Sequence, residues 1–199
     1  MEKITEEFFN TGMSFNDYLD RMETEDDKKR TKRYHDRITK NFTPKQLKID
    51  IENQLHLVVI VATWCWDCKA NVPVFERIVE NSPNLAIKYF IKEELQEDPI
   101  HKKLLSKING SERIPQLLIF SKDFYFIDRW VERSTKTYQL YIEYRNRYGW
   151  EKENKDVFIR EYRKAYLRMQ KKIEETVIDE VHRMLRKANI ISDATYRYH

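Results

Sequence analysis

The clearest pattern in the chain is an apolar run at residues 57–62, in which every residue is aliphatic. A short run of this kind with no polar position is typical of a strand buried on both faces. Segments rich in β-branched or aromatic residues follow at 85–92, 114–120 and 124–131. Together the runs predict four strands.

Helix signals precede the first strand. Ser14 can cap a helix with Asp17 three residues on, and the charged run that follows reaches Arg37 without Gly or Pro. Thr43 marks a second start, because Pro44 follows it directly and a Gln stands three residues on. The region before residue 43 is therefore predicted to be a helical leader.

Helical segments also separate the strands. Residues 69–80 predict a helix that Pro73 should bend, and a short helix is expected between Asp98-Pro99 and Asn109-Gly110. The resulting order of βα, βα, ββ predicts an α/β fold with a mixed sheet and helices on both of its faces.

Two further helices are predicted at 135–148, where Gly149 stops the first, and at about 154–188. The second carries apolar residues three and four positions apart, which form one stripe. The stripe consists of Phe158, Tyr162, Ala165, Met169, Ile173, Val177, Val181, Met184 and Ala188. Such a stripe must be covered, either by the leader and the central domain or by a second subunit in a homodimer.

The chain has two cysteines, and both lie in Trp64-Cys65-Trp66-Asp67-Cys68-Lys69, at the junction between the first strand and a helix. The first unpaired N–H groups of a helix and its macrodipole favour a thiolate, so Cys65 is the predicted nucleophile. Cys68 lies one turn on and on the same side, where it can resolve a mixed disulfide formed at Cys65. The pattern therefore predicts thiol–disulfide exchange.

Two other interpretations of the cysteines remain open. A pair at this spacing can form half of a zinc site, but closing it needs two more ligands, and the five histidines are widely scattered along the sequence. Buried cysteines can also be inert core residues. The flanking polar and aromatic residues favour a partly exposed site instead, and no metal ion is expected.

Ile114-Pro115 stands at the start of the third predicted strand. A cis bond there would turn the backbone of Ile114 outward, where it can pair with an extended substrate chain. The sequence does not report the isomer, and an ordinary proline at a strand start explains the pattern as well.

These features together resemble the thioredoxin superfamily. The resemblance rests on the Trp-Cys-x-x-Cys-Lys core, the apolar strand before it, Pro73 and Ile114-Pro115, and it covers about residues 43–132. Within the superfamily, the leader segment 12–19 and the Asp before the second Cys are similar to a bacterial, largely uncharacterised thioredoxin-like group. The predicted organisation is a helical leader at 1–42, a thioredoxin-like domain at 43–133 and a helical extension at 134–199.

The chain departs from the family at two positions. Trp66-Asp67 replaces the usual Gly-Pro between the cysteines, and Val59 stands where thioredoxins have a buried Asp that moves the proton of the resolving thiol. Asp67 is the candidate replacement as a general base for Cys68. An alternative role for Asp67 is to stabilise the helix N-terminus, and its charge opposes formation of the Cys65 thiolate.

Composition narrows the class of protein further. Of the 199 residues 41% are hydrophobic, and no apolar stretch approaches the ~20 residues of a membrane span. The start of the chain does not resemble a signal peptide, so a cytoplasmic location is expected, where a CxxC pair favours a reducing catalyst. The net charge is +4, and basic clusters have acidic neighbours, which is not the one-signed stripe that nucleic acid binding needs.

The sequence thus predicts a thiol–disulfide oxidoreductase that acts on protein or small-molecule disulfides, with Trp64, Trp66, Ile114 and Pro115 docking the substrate. A packing role is the alternative for both tryptophans, and for Trp64 it is favoured over substrate contact. No Gly-rich nucleotide fingerprint is present and no cofactor is expected, so electrons must come from an external donor such as a thioredoxin-reductase-like partner. The competing hypothesis is an interaction module or redox sensor that uses its helical arms without turnover.

Overall fold

A computed structural model of the chain describes residues 2–97, 112–149, 151 and 153–196. The helices are α1 Glu6–Thr11, α2 Phe15–Asp20, α3 Glu25–Asn41, α4 Pro44–Leu47, α5 Trp66–Glu80, α6 Lys92–Glu97, α7 Thr135–Tyr148 and α8 Lys155–Tyr196. The strands are β1 Leu55–Val61, β2 Leu85–Ile91, β3 Gln116–Phe120 and β4 Phe126–Val131. The short helix expected near 98–110 lies outside the described residues.

The strands form one mixed sheet in the order β2-β1-β3-β4. β1 runs parallel to β2 and antiparallel to β3, while β3 and β4 are antiparallel neighbours. Every residue of β1 is buried, as expected for a central strand with helices on both faces of its sheet. The predicted α/β class with a thioredoxin-like mixed sheet is confirmed.

The leader differs from the continuous helix expected from Ser14 to Arg37, since that stretch is divided between α2 and α3, and a further helix, α1, precedes it. Ser14 does cap α2 through a reciprocal bond with Asp17, but α2 ends at Asp20 and Thr24 caps a new helix. The Thr24 hydroxyl accepts a hydrogen bond from the N–H of Asp27, and this bond competes with continuation of the preceding helix. Helix propensity alone does not reveal such a side-chain cap.

The leader also covers both edges of the sheet. Met13 exchanges two backbone hydrogen bonds with Tyr89 of β2, at 2.9 and 3.0 Å, and the Ile4 N–H donates to the carbonyl of Phe124 at 3.1 Å. Gly12 makes the approach to β2 close, because a Cβ there would lie 2.6 Å from the Phe90 ring. These bonds satisfy edge groups that would otherwise remain unpaired.

The two C-terminal helices form where the sequence predicts them, and α7 has the predicted bounds. α8 begins one residue later than expected and continues to Tyr196. Seven residues of its predicted stripe are buried, and the other two are partly buried: Phe158, Tyr162, Ala165, Ile173, Val177, Val181 and Ala188, then Met169 and Met184. The chain itself covers the stripe, against α5, α7, β3 and β4, so no second subunit is needed to explain it.

Within the described residues, none of the helices is both long enough and apolar enough to span a membrane.

Candidate active site

The two cysteines lie where β1 leads into α5. Cys65 is the N-cap of α5, with extended backbone, and its Sγ accepts the backbone N–H of Cys68 at 3.4 Å. Both thiols are free, Cys65 is 7% exposed and Cys68 is fully buried. α5 continues through Pro73 to Glu80, so the helix that presents the thiols is four turns long. The structure therefore brings the predicted nucleophile and resolving thiol together at a helix N-terminus.

The environments of the two thiols differ in their effect on ionisation. A hydrogen bond from the Cys68 thiol, assisted by the backbone N–H groups of Cys68 and Asp67, lowers the pKa of Cys65 against the opposing effects of burial and the Asp67 charge. Burial raises the pKa of Cys68 well above its usual value, and its bond to Cys65 adds to that shift. These shifts favour ionisation of Cys65 before Cys68, since the Cys65 anion has several donors, whereas burial and the neighbouring Cys65 and Asp67 charges oppose a Cys68 anion.

The Ile114-Pro115 peptide bond is cis. Both residues are buried, and the carbonyl oxygen of Ile114 lies 3.8 Å from the Sγ of Cys65. The structure answers the question that the sequence left open about the isomer, and it places this backbone segment beside Cys65, the predicted nucleophile.

The two tryptophans lie in different environments. Trp64 is 60% exposed, and its Nε1 donates to the Glu93 carboxylate at 3.0 Å. Trp66 is half-buried and packs edge-on against Tyr166 and Tyr162 of α8, with ring centroids 4.6 and 6.1 Å apart. The exposure of Trp64 contradicts the packing role favoured for it, whereas Trp66 takes the packing alternative, with neighbours from α8.

Asp67 is buried beside Arg133, a residue that the sequence analysis did not single out. The Arg133 Nη2 lies 2.6 Å from the Asp67 Oδ2, and its Nε lies 3.3 Å from Oδ1. Burial raises the pKa of Asp67 to about 6, although the charge of Arg133 opposes the shift. The guanidinium also contacts Glu132 and lies 4.7 Å from the Tyr141 ring centroid. Arg133 lies two residues beyond the end of β4, and no spacing in the sequence links it to the cysteines.

A second buried charge on α5, that of Lys69, pairs with a residue of the leader. The Lys69 Nζ lies 2.8 Å from the Asp27 Oδ2 of α3 and donates to the Trp64 carbonyl at 3.4 Å. The hydrogen bond from Lys69 lowers the pKa of Asp27. The leader therefore reaches the first turn of the helix that carries the cysteines.

Val59, at the position of the missing acid, is fully buried in β1. Tyr18 of α2 lies near this position, since its ring stacks on that of Tyr89, and Tyr89 pairs with Val59 across the sheet. The Tyr18 hydroxyl donates to the carbonyl of Ala62 at 3.4 Å. In the sequence Tyr18 is only one residue of the leader segment 12–19, so nothing indicated this placement.

In the part of the chain that the structure describes, no group of three or more His, Cys, Asp or Glu side chains is arranged to hold a metal ion. The histidine rings there have other partners. His182 contacts the Leu47 carbonyl, His56 contacts the Ser121 carbonyl, and His35 contacts Glu80.

Comparison with known proteins agrees with this geometry. A search of curated proteins finds no match. A solved structure of a Pseudomonas aeruginosa protein of unknown function aligns with a TM-score of 0.64 at 18% identity, over 92% of this chain and 96% of the other. An HIV epitope-scaffold aligns with a TM-score of 0.65 at 21% identity, over 91% of this chain and 96% of the other. At these identities the two structures support the fold alone.

A family model described as thioredoxin matches residues 12–145, a range that includes α2, the sheet, both cysteines and most of α7. The chain belongs to the thioredoxin family.

Proposed function

We propose that the chain is a thiol–disulfide oxidoreductase that reduces protein or small-molecule disulfides through Cys65 and Cys68. The observation that supports this most directly is the asymmetry of the pair. Cys65 has hydrogen-bond donors for its thiolate and lies at the N-terminus of α5, while the Cys68 thiol is fully buried within reach of it. An ionised thiol with a protonated neighbour is the reduced state that the reaction requires.

In the proposed reaction the Cys65 thiolate attacks one sulfur of a substrate disulfide. The substrate S–S bond breaks, one thiolate leaves and takes a proton from water, and a mixed disulfide forms at Cys65. The Cys68 thiol then loses its proton and attacks the Sγ of Cys65, which releases the second substrate thiolate. Two electrons pass from the dithiol to the substrate, and the chain is left with a Cys65–Cys68 disulfide.

Asp67 is the proposed base for the Cys68 proton. With a pKa of about 6 its carboxylate is ionised at neutral pH yet basic enough to accept a proton, which is the range that general bases occupy. Its position next to Cys68 in the chain favours this role, whereas its ion pair with Arg133 competes with it.

The substrate would bind to the surface next to Cys65, where it would contact Trp64, Trp66, Ile114 and Pro115. The exposed Trp64 ring offers an apolar surface, and the Ile114 carbonyl beside Cys65 can accept a hydrogen bond from an extended peptide. Trp66 is partly covered by α8, so its exposed edge alone is available to a substrate. Regeneration of the dithiol would need an external electron donor, such as a thioredoxin-reductase-like protein.

A redox-sensing interaction module is the second candidate. The observation that favours it is the attachment of the helical arms to the active-site helix, through Trp66 to α8 and through Lys69 to α3. Oxidation of the dithiol could then change how the arms pack, without repeated turnover.

Reduction of insulin disulfides by dithiothreitol separates the two candidates. The oxidoreductase should accelerate insulin precipitation over dithiothreitol alone, Cys65→Ser should abolish the acceleration, and Cys68→Ser should accumulate insulin attached at Cys65. If the unaltered chain gives only the dithiothreitol rate, the enzyme proposal is wrong. A dithiol that oxidises reversibly without turnover would then support the sensor.

A further inference from the structure

Tyr18 of the leader contacts the loop that precedes the two cysteines. Its side chain is fully buried and stacks on Tyr89 with ring centroids 5.8 Å apart. Its hydroxyl reaches the carbonyl of Ala62, which also accepts the backbone N–H of Cys65 at 3.3 Å. The leader therefore places a hydroxyl group against the loop that carries the dithiol.

Burial raises the pKa of Cys68, and the backbone N–H of Ala62 is a donor that opposes this shift. Cys68 is fully buried, and its thiol must become an anion before it can attack the mixed disulfide. The titratable groups that interact with it are Cys65 and Asp67 from its own loop and helix and Tyr18 from α2. The Cys65 and Asp67 charges disfavour a Cys68 anion, so of these groups Tyr18 alone offers a neutral donor.

The Tyr18 hydroxyl keeps its proton in this setting. Burial raises the pKa of Tyr18 well above its usual value, and the nearby Cys68, Cys65 and Asp27 charges raise it further. Asp27 is itself paired with Lys69, and the phenol of Tyr89 donates to Glu76 at 2.6 Å. Tyr18 can therefore act as a donor and not as a base.

We propose that the Tyr18 hydroxyl donates a hydrogen bond to the Cys68 thiolate while that thiolate displaces the substrate sulfur from Cys65. This inference rests on the proposed function. In the dithiol state the hydroxyl's one hydrogen bond among the described residues is a long one, of 3.4 Å to the Ala62 carbonyl, and a neutral hydroxyl binds an anion more strongly than a carbonyl. The leader would thus supply a polar group on the side where Val59 replaces the family's acid.

The test uses Tyr18→Phe, which removes the hydroxyl and keeps the ring, with Tyr89→Phe as the matched control. Tyr89 is also buried, and its ring is the one that stacks on Tyr18. Tyr89→Phe removes a hydrogen bond to Glu76 that is shorter than the bond from Tyr18 to Ala62. Each reduced protein is mixed with 5,5′-dithiobis(2-nitrobenzoate) under single-turnover conditions. The first thionitrobenzoate released reports attack by Cys65, and the second reports resolution by Cys68.

We expect Tyr18→Phe to slow the second release by about tenfold between pH 6 and 8 and to leave the first nearly unchanged. The pH at which the second release becomes fast should also move upward in Tyr18→Phe and stay in place in Tyr89→Phe. Equal second-release rates in Tyr18→Phe and the unaltered chain would overturn the inference, as would an equal slowing in both variants. If no second release occurs in the unaltered chain, the proposed function itself fails.

A measurement on the unaltered chain covers the case in which Tyr18→Phe does not fold. In protein labelled with carbon-13, the Tyr18 Cζ resonance should shift as the dithiol titrates toward high pH, while that of Tyr89, whose hydroxyl is bonded to Glu76, should shift much less. A Tyr18 resonance that is insensitive to ionisation of the cysteines would contradict the inference.

Discussion

Arg133 and Asp67 form a buried two-point ion pair between the end of β4 and the first turn of α5. The Nη2–Oδ2 distance is 2.6 Å and the Nε–Oδ1 distance is 3.3 Å, and the two side chains are 16% and 12% exposed. The pair joins the residue before Cys68 to the segment that leads into the C-terminal extension. It therefore connects the segment that carries both cysteines to parts of the chain far away in sequence.

Arg133→Gln should destabilise the fold by roughly 3 kcal/mol, because it leaves the Asp67 carboxylate buried without its partner. Urea unfolding at pH 7.5 measures the change. Arg147→Gln is the control, since the pair of Arg147 with Glu143 is more than half exposed and such pairs contribute about 0.5 kcal/mol or less. A loss in Arg133→Gln no larger than that of the control would contradict the buried-pair interpretation.

The raised pKa of Asp67 has a consequence for stability. The folded chain holds a proton on Asp67 up to about pH 6, whereas the unfolded chain releases it near the ordinary value of 3.8. The native state therefore binds more protons between these values, so the Asp67 contribution becomes less favourable as pH rises through this window. The stability of the unaltered chain minus that of Asp67→Asn should fall by about 2 kcal/mol from pH 4 to pH 7. A difference that stays flat over the window would show that the shift is absent.

Asp67→Asn also tests the proposed base. Without a carboxylate to accept the Cys68 proton, the second thiol release in a single turnover should slow several-fold at neutral pH. The unaltered chain should show an inflection near pH 6 in this step that Asp67→Asn lacks. Asp17→Asn serves as the control, because Asp17 caps α2 and is exposed. Unchanged single-turnover kinetics in Asp67→Asn would remove the base role.

The approach of the leader to β2 can be tested at Gly12. Its backbone conformation, with φ −68° and ψ 150°, suits any residue, so Gly12→Ala adds only a methyl group. That methyl would lie 2.6 Å from the Phe90 ring and 2.7 Å from the Lys88 Cβ, and the resulting crowding should cost about 1–3 kcal/mol. Asn10→Ala, at an exposed position of α1, should change the stability by less than about 0.5 kcal/mol. Similar effects of the two substitutions would argue against the close packing.

Local patterns in the sequence predicted the elements whose signals are contained in a few residues. The strand cores, the bounds of α7 between Ser134 and Gly149 and the helix start at Thr43 follow from hydrophobic period and capping residues. The CxxC motif likewise gave the position of both thiols. These features depend on neighbours in sequence, which is why they were visible.

Features that depend on distant parts of the chain were not predictable. The partner of Asp67 is 66 residues away, and Tyr18 reaches Ala62 across 44 residues. The isomer of Ile114-Pro115 was undetermined because either isomer suits a strand start. Trp64 and Trp66 have the same residue type, and only the position of α8 distinguishes the exposed ring from the packed one.

The most direct test of the central claim is the pH dependence of Cys65 alkylation by iodoacetamide, with the modified residue located by mass spectrometry. Because the Cys68 thiol is the largest contributor to the lowered pKa of Cys65, the inflection should lie higher in Cys68→Ala than in Cys68→Ser. In the unaltered chain we expect an inflection clearly below the value of about 8.5 for free cysteine, with Cys68 unmodified throughout. An inflection at the free-cysteine value, or equal reactivity of the two thiols, would contradict the account.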